Sequence, residues 1–298
     1  MIKIPMFQGK EFPIPEIGNN FAEGAVESYD SFLSELLPVE GFKQHKLKDS
    51  FGGRAIYGFS MGDLDNKPTF IVDGSIHKSH EWRTSFWIMH FMEVLNNPML
   101  YPEMASEIQK LKSRYSFYFI PVVAPDTFQS STQGVYSYGN DNGIDIAQNF
   151  DYTWPTTREP KGAFPFSEPE AQNIRDVILE YKPILYINCH THGGHDGFMM
   201  RRPVEEGYMI LYKDFFESYK ISTKDTPDTM FSPMNGNASA YGWASQLNSS
   251  HGVKILSNVF EVGDLQSSLW QSRMGVTGLL LRFMYGDNFA TKNTLTLL

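Results

Sequence analysis

Four short runs of this chain, Thr69–Asp73 (TFIVD), Phe117–Val123 (FYFIPVV), Ile184–Asn188 (ILYIN) and Ile255–Val262, are almost continuously apolar and rich in β-branched and aromatic residues. A half-exposed strand alternates apolar with polar residues, so runs of this kind read as strands covered on both faces. The stretches between them supply the cover. The clearest helix follows Ser167, where S-E-P-E sets a capping serine, an early proline and a glutamate ahead of the amphipathic AQNIRDVILEYK. Helices are also predicted near Glu81–Leu95, Tyr208–Tyr219, Ala238–Leu247 and Leu269–Tyr285. Apolar strands spaced by helices predict an α/β fold, a central sheet with helices on both faces.

The first 35 residues, rich in Gly, Pro and Asn, read as an extended arm or irregular lead-in that runs into a short helix around Glu27–Leu37. No boundary shows after it, so residues 36–298 are read as one domain. The segment Pro125–Pro165 is too long for a simple connection, and long ordered loops on α/β scaffolds shape binding sites. A net charge of −9 argues against nucleic acid, which needs basic stripes to displace counterions. No apolar run is long enough to span a membrane. The single cysteine, Cys189, excludes an internal disulfide, and the start has no apolar stretch of the secretory kind, which makes cytoplasmic residence the default expectation. The oligomeric state is left open.

Five of the eight histidines fall in two windows, His77 and His80, then His190, His192 and His195. In FIVDGSIHKSHEW an apolar strand ends in a Gly-Ser turn, then His77, then Glu81 at the start of a predicted helix. Strand ends are where α/β sheets bind ligands. Four residues apart, the two side chains share a helix face if the helix starts early, and an imidazole with a carboxylate suits zinc. Taken alone, such a pair is more often a solvated helix pair. ILYINCHTHGGHDG repeats the layout and delivers His190 at a strand end. His192 and His195 are rival ligands or loop histidines lining the site entrance. Cys189 points to the opposite strand face from His190, as a small core residue rather than a thiolate ligand. In SNVFEVGD a further strand sets Glu261 among apolar neighbours, where a carboxylate is costly unless paired in a salt bridge or used as a general base beside an activated water.

The order strand, His, Glu-Trp, helix; then IPVVAPDTF, GIDIAQNFD and SEPEAQNI; then a strand ending in His; then FEVGD resembles the zinc carboxypeptidases of the carboxypeptidase A type over about Pro68–Phe283. The resemblance implies an α/β/α sandwich on a mixed sheet, one Zn2+ ion per chain and a peptide or peptide-like substrate. It assigns His77, Glu81 and His190 as zinc ligands, Glu261 as the catalytic glutamate and Asp145 as the aspartate that orients the first ligand histidine. The domain from residue 36 then reads as a zinc-peptidase-like catalytic domain.

The sequence also departs from that family. Three residues, Lys78, Ser79 and His80, separate His77 from Glu81, where the family has two. The family's Asn-Arg pair that grips a terminal carboxylate aligns with Ala147 and Gln148, and no Lys or Arg occurs between Arg114 and Arg158, where its oxyanion-stabilising arginine belongs. A glutamine brings donors without charge, so the carboxylate clamp is lost. Gln148 and Asn149 remain as substrate-binding candidates, as do Arg201 and Arg202. Those two arginines and Arg83 are also candidates for the missing cation, with surface ion pairing as their competing reading. The expectation is a zinc-dependent metallopeptidase or amide hydrolase of non-standard specificity. Its alternatives are a true metallocarboxypeptidase with a relocated cation and a catalytically silent metal-binding module.

Overall fold

The computed structural model describes residues 28–77, 81–128, 138–152, 154–156, 159–192, 240–263 and 268–296, with short strands at 6–7, 10–11 and 198–200. Strands β1 (Met6–Phe7) and β2 (Lys10–Glu11) form a two-stranded sheet of their own. Among the described residues the main sheet has seven strands: β3 (Lys43–Lys46), β4 (Tyr57–Met61), β5 (Thr69–Asp73), β6 (Ser116–Ile120), β7 (Leu185–His192), β8 (Phe198–Met200) and β9 (Leu256–Gly263). Their spatial order is β3-β4-β6-β5-β7-β9-β8. The middle four run parallel, and β3, β4 and β8 pair antiparallel at the edges. The sheet is therefore mixed, as expected.

Because side chains alternate across a strand, each central strand feeds two cores. Phe70 and Val72 of β5, Phe117 and Phe119 of β6, and Leu185, Ile187 and Cys189 of β7 join one core. It is covered by α1 (Tyr29–Leu36), α2 (Trp82–Asn96), α3 (Ala105–Arg114) and α6 (Ser268–Thr296). Ile71, Tyr118, Ile120 and Tyr186 turn the other way, toward α4 (Pro169–Tyr181) and α5 (Ala240–Ala244). This double cover is what the continuously apolar strands required. Helix α1, closed by a Ser28–Ser31 capping box, docks on the first core through Tyr29, Phe32 and Leu36, with the Phe32 ring 5.1 Å from that of Phe86.

Several boundaries differ from the sequence reading. Strand β6 ends at Ile120, short of Val123, because the next residues leave the sheet to bond the turn after β5. Helix α4 is capped by the Glu168 backbone rather than by Ser167, whose hydroxyl donates instead to Glu168 Oε1 (2.9 Å). The helix predicted over Ala238–Leu247 shortens to α5, and the one predicted to end at Tyr285 continues to Thr296. Gly286 does not stop it, because it serves close packing: a Cβ there would lie 3.0 Å from Leu185 and Phe70. The polar edge strand β3 and helix α3, which buries only Ile108 and Leu111, carry too little apolar pattern to stand out in the sequence. The long segment from Pro125 is ordered in part by single turns at Pro125–Thr127, Ile146–Gln148 and Trp154–Thr156. The helix predicted at Tyr208–Tyr219 lies outside the described residues. Among those residues no helix is long and apolar enough to cross a membrane.

Helices α2 and α6 meet where Gly275 faces Trp87: a Cβ at 275 would lie 2.3 Å from the indole Cγ and 2.7 Å from Trp87 Cβ, atoms too near the backbone to swing aside. On an exposed helix, Gly→Ala stabilises by about 0.5–1 kcal/mol. At position 275 overpacking reverses the sign, and Gly275→Ala is expected to lower unfolding free energy by about 1–2 kcal/mol in urea titration.

Candidate metal centre

The C-terminal ends of the parallel strands β5, β7 and β9 lie side by side, and the site is built on that edge. After β5 the chain turns through Gly74 and Ser75 into His77. The Ser75 amide donates to Thr84 Oγ1 of α2 (2.6 Å), and the Val123 and Ala124 amides donate to the Gly74 and Ser75 carbonyls (3.0 Å each). A Cβ at Gly74 would lie 2.6 Å from Thr84 Oγ1, and Ser75 sits at φ 52°, a left-handed conformation that these bonds hold in place. His77 is thus delivered by a rigid turn.

Glu81 is the N-cap residue of α2 but gives the helix no side-chain cap. Its carboxylate turns back instead: Oε2 accepts from the His77 amide (3.0 Å), while Oε1 lies 2.8 Å from His77 Nδ1 and 2.7 Å from His190 Nδ1. The helix begins only at Trp82, so His77 and Glu81 do not share a helix face as the spacing suggested. They converge outside the helix, through the contacts of the Glu81 carboxylate with the His77 amide and ring. Lys78, Ser79 and His80 lie outside the described residues.

His190 stands on β7, which continues past it to His192. The ring centroids of His77 and His190 are 5.0 Å apart, and ligand atoms of His77, Glu81 and His190 all lie within 4.8 Å of one another. All three residues are buried. Their outer nitrogens are also engaged. His77 Nε2 is 3.2 Å from Asp145 Oδ1, within ion-pair distance though off the hydrogen-bond line. Asp145 is in turn fixed at the start of the Ile146–Gln148 turn, where the same oxygen accepts the Ala147 amide (3.0 Å). His190 Nε2 faces Asn188 Oδ1; Asn188 Nδ2 donates to Asp73 Oδ1, and Tyr186 donates its hydroxyl proton to Asp73 Oδ2. The sequence reading missed Asp73, Asn188 and Tyr186. The available signal was the polar Asn188 two residues before His190 in an apolar strand, paired in register with Asp73.

Electrostatics follow from this packing. Burial opposes charge on His77, but the Glu81 and Asp145 carboxylates outweigh it and push its pKa up to about 10. Burial likewise opposes the Glu81 charge, yet His190 and His77 hold its carboxyl far below the usual carboxylate range. Burial pushes Asp73 up to about 6, against the bonds from Tyr186 and Asn188. Cys189 is buried in the core on the opposite strand face, where loss of hydration drives its thiol well above the ordinary value, so it does not offer a thiolate.

Two imidazoles and one carboxylate are the donor set of a catalytic zinc site, which keeps a further position open, and the engaged outer nitrogens are what ligating histidines require. An all-oxygen preference excludes calcium and magnesium from such a set. The residues present fit zinc.

The remaining candidates divide. Glu261 lies on β9 as the register partner of His190, with Met199 of β8 on its other side; its side chain lies outside the described residues. Ala147 and Gln148 are buried in the turn after Asp145. Asn149 commits its side chain to the loop: Nδ2 donates to Lys161 O (2.7 Å) and Ser167 Oγ (2.9 Å), and Oδ1 accepts the Glu168 amide (3.0 Å). A substrate would have to displace these bonds. Arg83 lays its guanidinium 5.4 Å from the Trp82 ring centroid. Tyr138 meets His77 edge-on at 5.2 Å and is exposed at the rim. The side chain of His192, and all of His195, Arg201 and Arg202, lie outside the described residues.

Comparison with known proteins adds the following. The sequence model of one family, described as zinc carboxypeptidase, matches residues 42–205. Carboxypeptidase B of Astacus astacus is 25% identical over 171 residues, 48% of this chain and 52% of that protein, so the chain spans about half the length of this curated relative. Among solved structures, a metallo-carboxypeptidase from Burkholderia cenocepacia superposes with a TM-score of 0.66 at 16% identity, covering 96% of this chain and 77% of the other. Bovine thrombin-activatable fibrinolysis inhibitor, solved in complex with tick carboxypeptidase inhibitor, gives 0.65 at 14% identity, covering 89% and 97%. At such identities the structural likeness is one of fold.

Two outcomes are expected of the purified protein. Elemental analysis after dialysis should find about one zinc per chain in the parent protein and in Cys189→Ala, and a large loss in His190→Ala and Glu81→Gln. Below pH 10 the metal-free site holds a proton on His77 that an ion must displace. Apparent zinc affinity, read by chelator competition, should therefore fall about tenfold for each pH unit lowered between about 9 and 7.

Proposed function

The chain belongs to the zinc carboxypeptidase family, and from that premise we propose that it is a zinc-dependent metallopeptidase that hydrolyses a peptide-type amide. The observation that carries the reading is the convergence of His77, Glu81 and His190 in one buried cluster of ligand atoms. When bound, zinc polarises the scissile carbonyl and brings the pKa of a water near neutrality. The chain's own residues do the rest. His77 and His190 present Nδ1, and Asp145 holds the His77 ring by its far nitrogen. Glu261 is the general base that accepts the proton of the attacking water and then, as acid, passes it to the leaving amine. Its place as register partner of His190 supports that role.

The substrate is an amide without an ordinary C-terminal carboxylate: a modified peptide, a cell-wall peptide or an internal bond. Support comes from the turn after Asp145, which offers Ala147 and Gln148 where the family's carboxylate-gripping pair belongs, and from the absence of Lys and Arg between Arg114 and Arg158. A guanidinium holds a carboxylate through two charged hydrogen bonds, and an amide cannot. The family membership itself favours a second reading, a metallocarboxypeptidase whose cation comes from Arg83, Arg201 or Arg202.

A blocked dipeptide compared with its C-terminal amide separates the two, because the first reading expects kcat/KM on the amide to equal or exceed that on the free acid. Glu261→Gln is expected to lower kcat by about 10²- to 10⁴-fold with zinc content unchanged. Full activity in that zinc-loaded variant would overturn the mechanism.

A further inference from the structure

We propose that Asn188 is a positioning residue that sets the tautomer of His190, with Asp73 fixing which way the Asn188 amide points. The inference rests on the reading of His77, Glu81 and His190 as a zinc site.

The argument follows hydrogen-bond polarity through three side chains. Asp73 and Asn188 are paired in register on neighbouring parallel strands, and both are fully buried. An ionised carboxylate has lone pairs and no proton, so it can only accept. Asp73 Oδ2 takes the Tyr186 hydroxyl proton, and Asp73 Oδ1 takes a proton from Asn188 Nδ2. That turns the other end of the amide, the carbonyl Oδ1, toward His190 Nε2. A carbonyl oxygen also only accepts, so Nε2 carries the ring proton. When zinc takes the site, the lone pair it needs then falls on Nδ1, the His190 atom that belongs to the ligand cluster.

Reversing the amide has a definite consequence. The Asn188 NH2 would meet Nε2 and demand a lone pair there, leaving a proton on Nδ1 directed at Glu81 Oε1. The ring would keep its place and lose its ligand atom. Asp73 prevents that reversal, because its lone pairs repel the carbonyl of a flipped amide. The two ligand histidines are therefore set differently: His77 through direct approach to a carboxylate, and His190 through an amide that carries the polarity of a carboxylate one strand away. Tyr186, Asn188 and His190 occupy alternate positions of β7, so one strand face holds the whole relay while Ile187 and Cys189 serve the core on the other.

The test reads the tautomer and the metal separately from activity. With ¹⁵N-labelled histidine, two-bond proton–nitrogen correlation spectra identify which ring nitrogen of His190 is protonated, assigned by loss of the signal in His190→Ala. The zinc-loaded parent protein is expected to show Nε2–H alone. Asn188→Leu and Asp73→Asn are each expected to weaken zinc binding about 10- to 100-fold in chelator competition, and to add less than their sum when combined. Should Asn188→Leu fail to fold, the near-isosteric Asp73→Asn carries the test, with circular dichroism as the folding control. Unchanged zinc affinity in the folded variants, or Nδ1–H in the parent, overturns this inference alone. Zinc content unaffected by His190→Ala overturns the zinc reading and this inference with it.

Discussion

The Glu81 carboxylate is buried between two imidazoles, and much of the site's architecture answers to that one charge. An isolated carboxylate away from water is unstable by several kcal/mol, so it persists only where positive or proton-donating partners are held against it. The His77 amide and the His77 ring meet that need, and His190 Nδ1 lies beside the carboxylate as the third atom of the ligand cluster. Each partner must itself be held. The turn at Gly74 and Ser75 pins His77, the β7–β9 and β5–β7 registers set His190, and Asp145 and Asn188 engage the outer ring nitrogens. The result is a group of atoms that carries a proton in the absence of metal and matches the donors of zinc when that proton leaves.

That arrangement needs a scaffold that does not yield. The four parallel strands are covered on both faces, and each sends alternate residues into separate cores, one beneath α1, α2, α3 and α6 and the other beneath α4 and α5. Close packing on both sides leaves the strand ends no lateral freedom. A histidine at the end of such a strand is placed to within the tolerance of the core beneath it. Phe70 of β5 and Phe117 of β6 pack against Phe283 of α6, with ring centroids 5.0 to 5.9 Å apart, and β5 carries Asp73 at its far end.

How much of this could be read from the residues differs from case to case. His77, Glu81 and His190 stood out because an apolar strand running into a turn puts a polar side chain at a sheet edge, a purely local pattern. The reason offered for their convergence, a shared helix face, did not hold: α2 starts one residue beyond Glu81, and the pair meets outside the helix. Asp145 was reachable only through resemblance, since nothing local ties it to a histidine sixty-eight positions earlier. Asn188 lay in view but reads as an irregularity in an apolar strand until Asp73 is seen beside it. Asn149, next to the aligned clamp positions, looked available to a substrate, and its hydrogen bonds belong to the loop at 161–168.

The amino-acid order was enough to predict an α/β chain with doubly covered strands and to mark His77, Glu81 and His190 as candidate metal ligands near their ends, because strand composition, helix period and turn residues are local properties. It also dictated the lack of positive charge between Arg114 and Arg158, which is a matter of composition alone. Tertiary structure decided which atoms meet. Whether His77 offers Nδ1 or Nε2, whether Ser167 or Glu168 opens a helix, and whether an asparagine points its carbonyl or its amide at a histidine all depend on partners far away in the chain. Hydrogen bonds act over about 3 Å, and only the folded sheet brings residues 73, 81, 145, 188 and 190 within that reach.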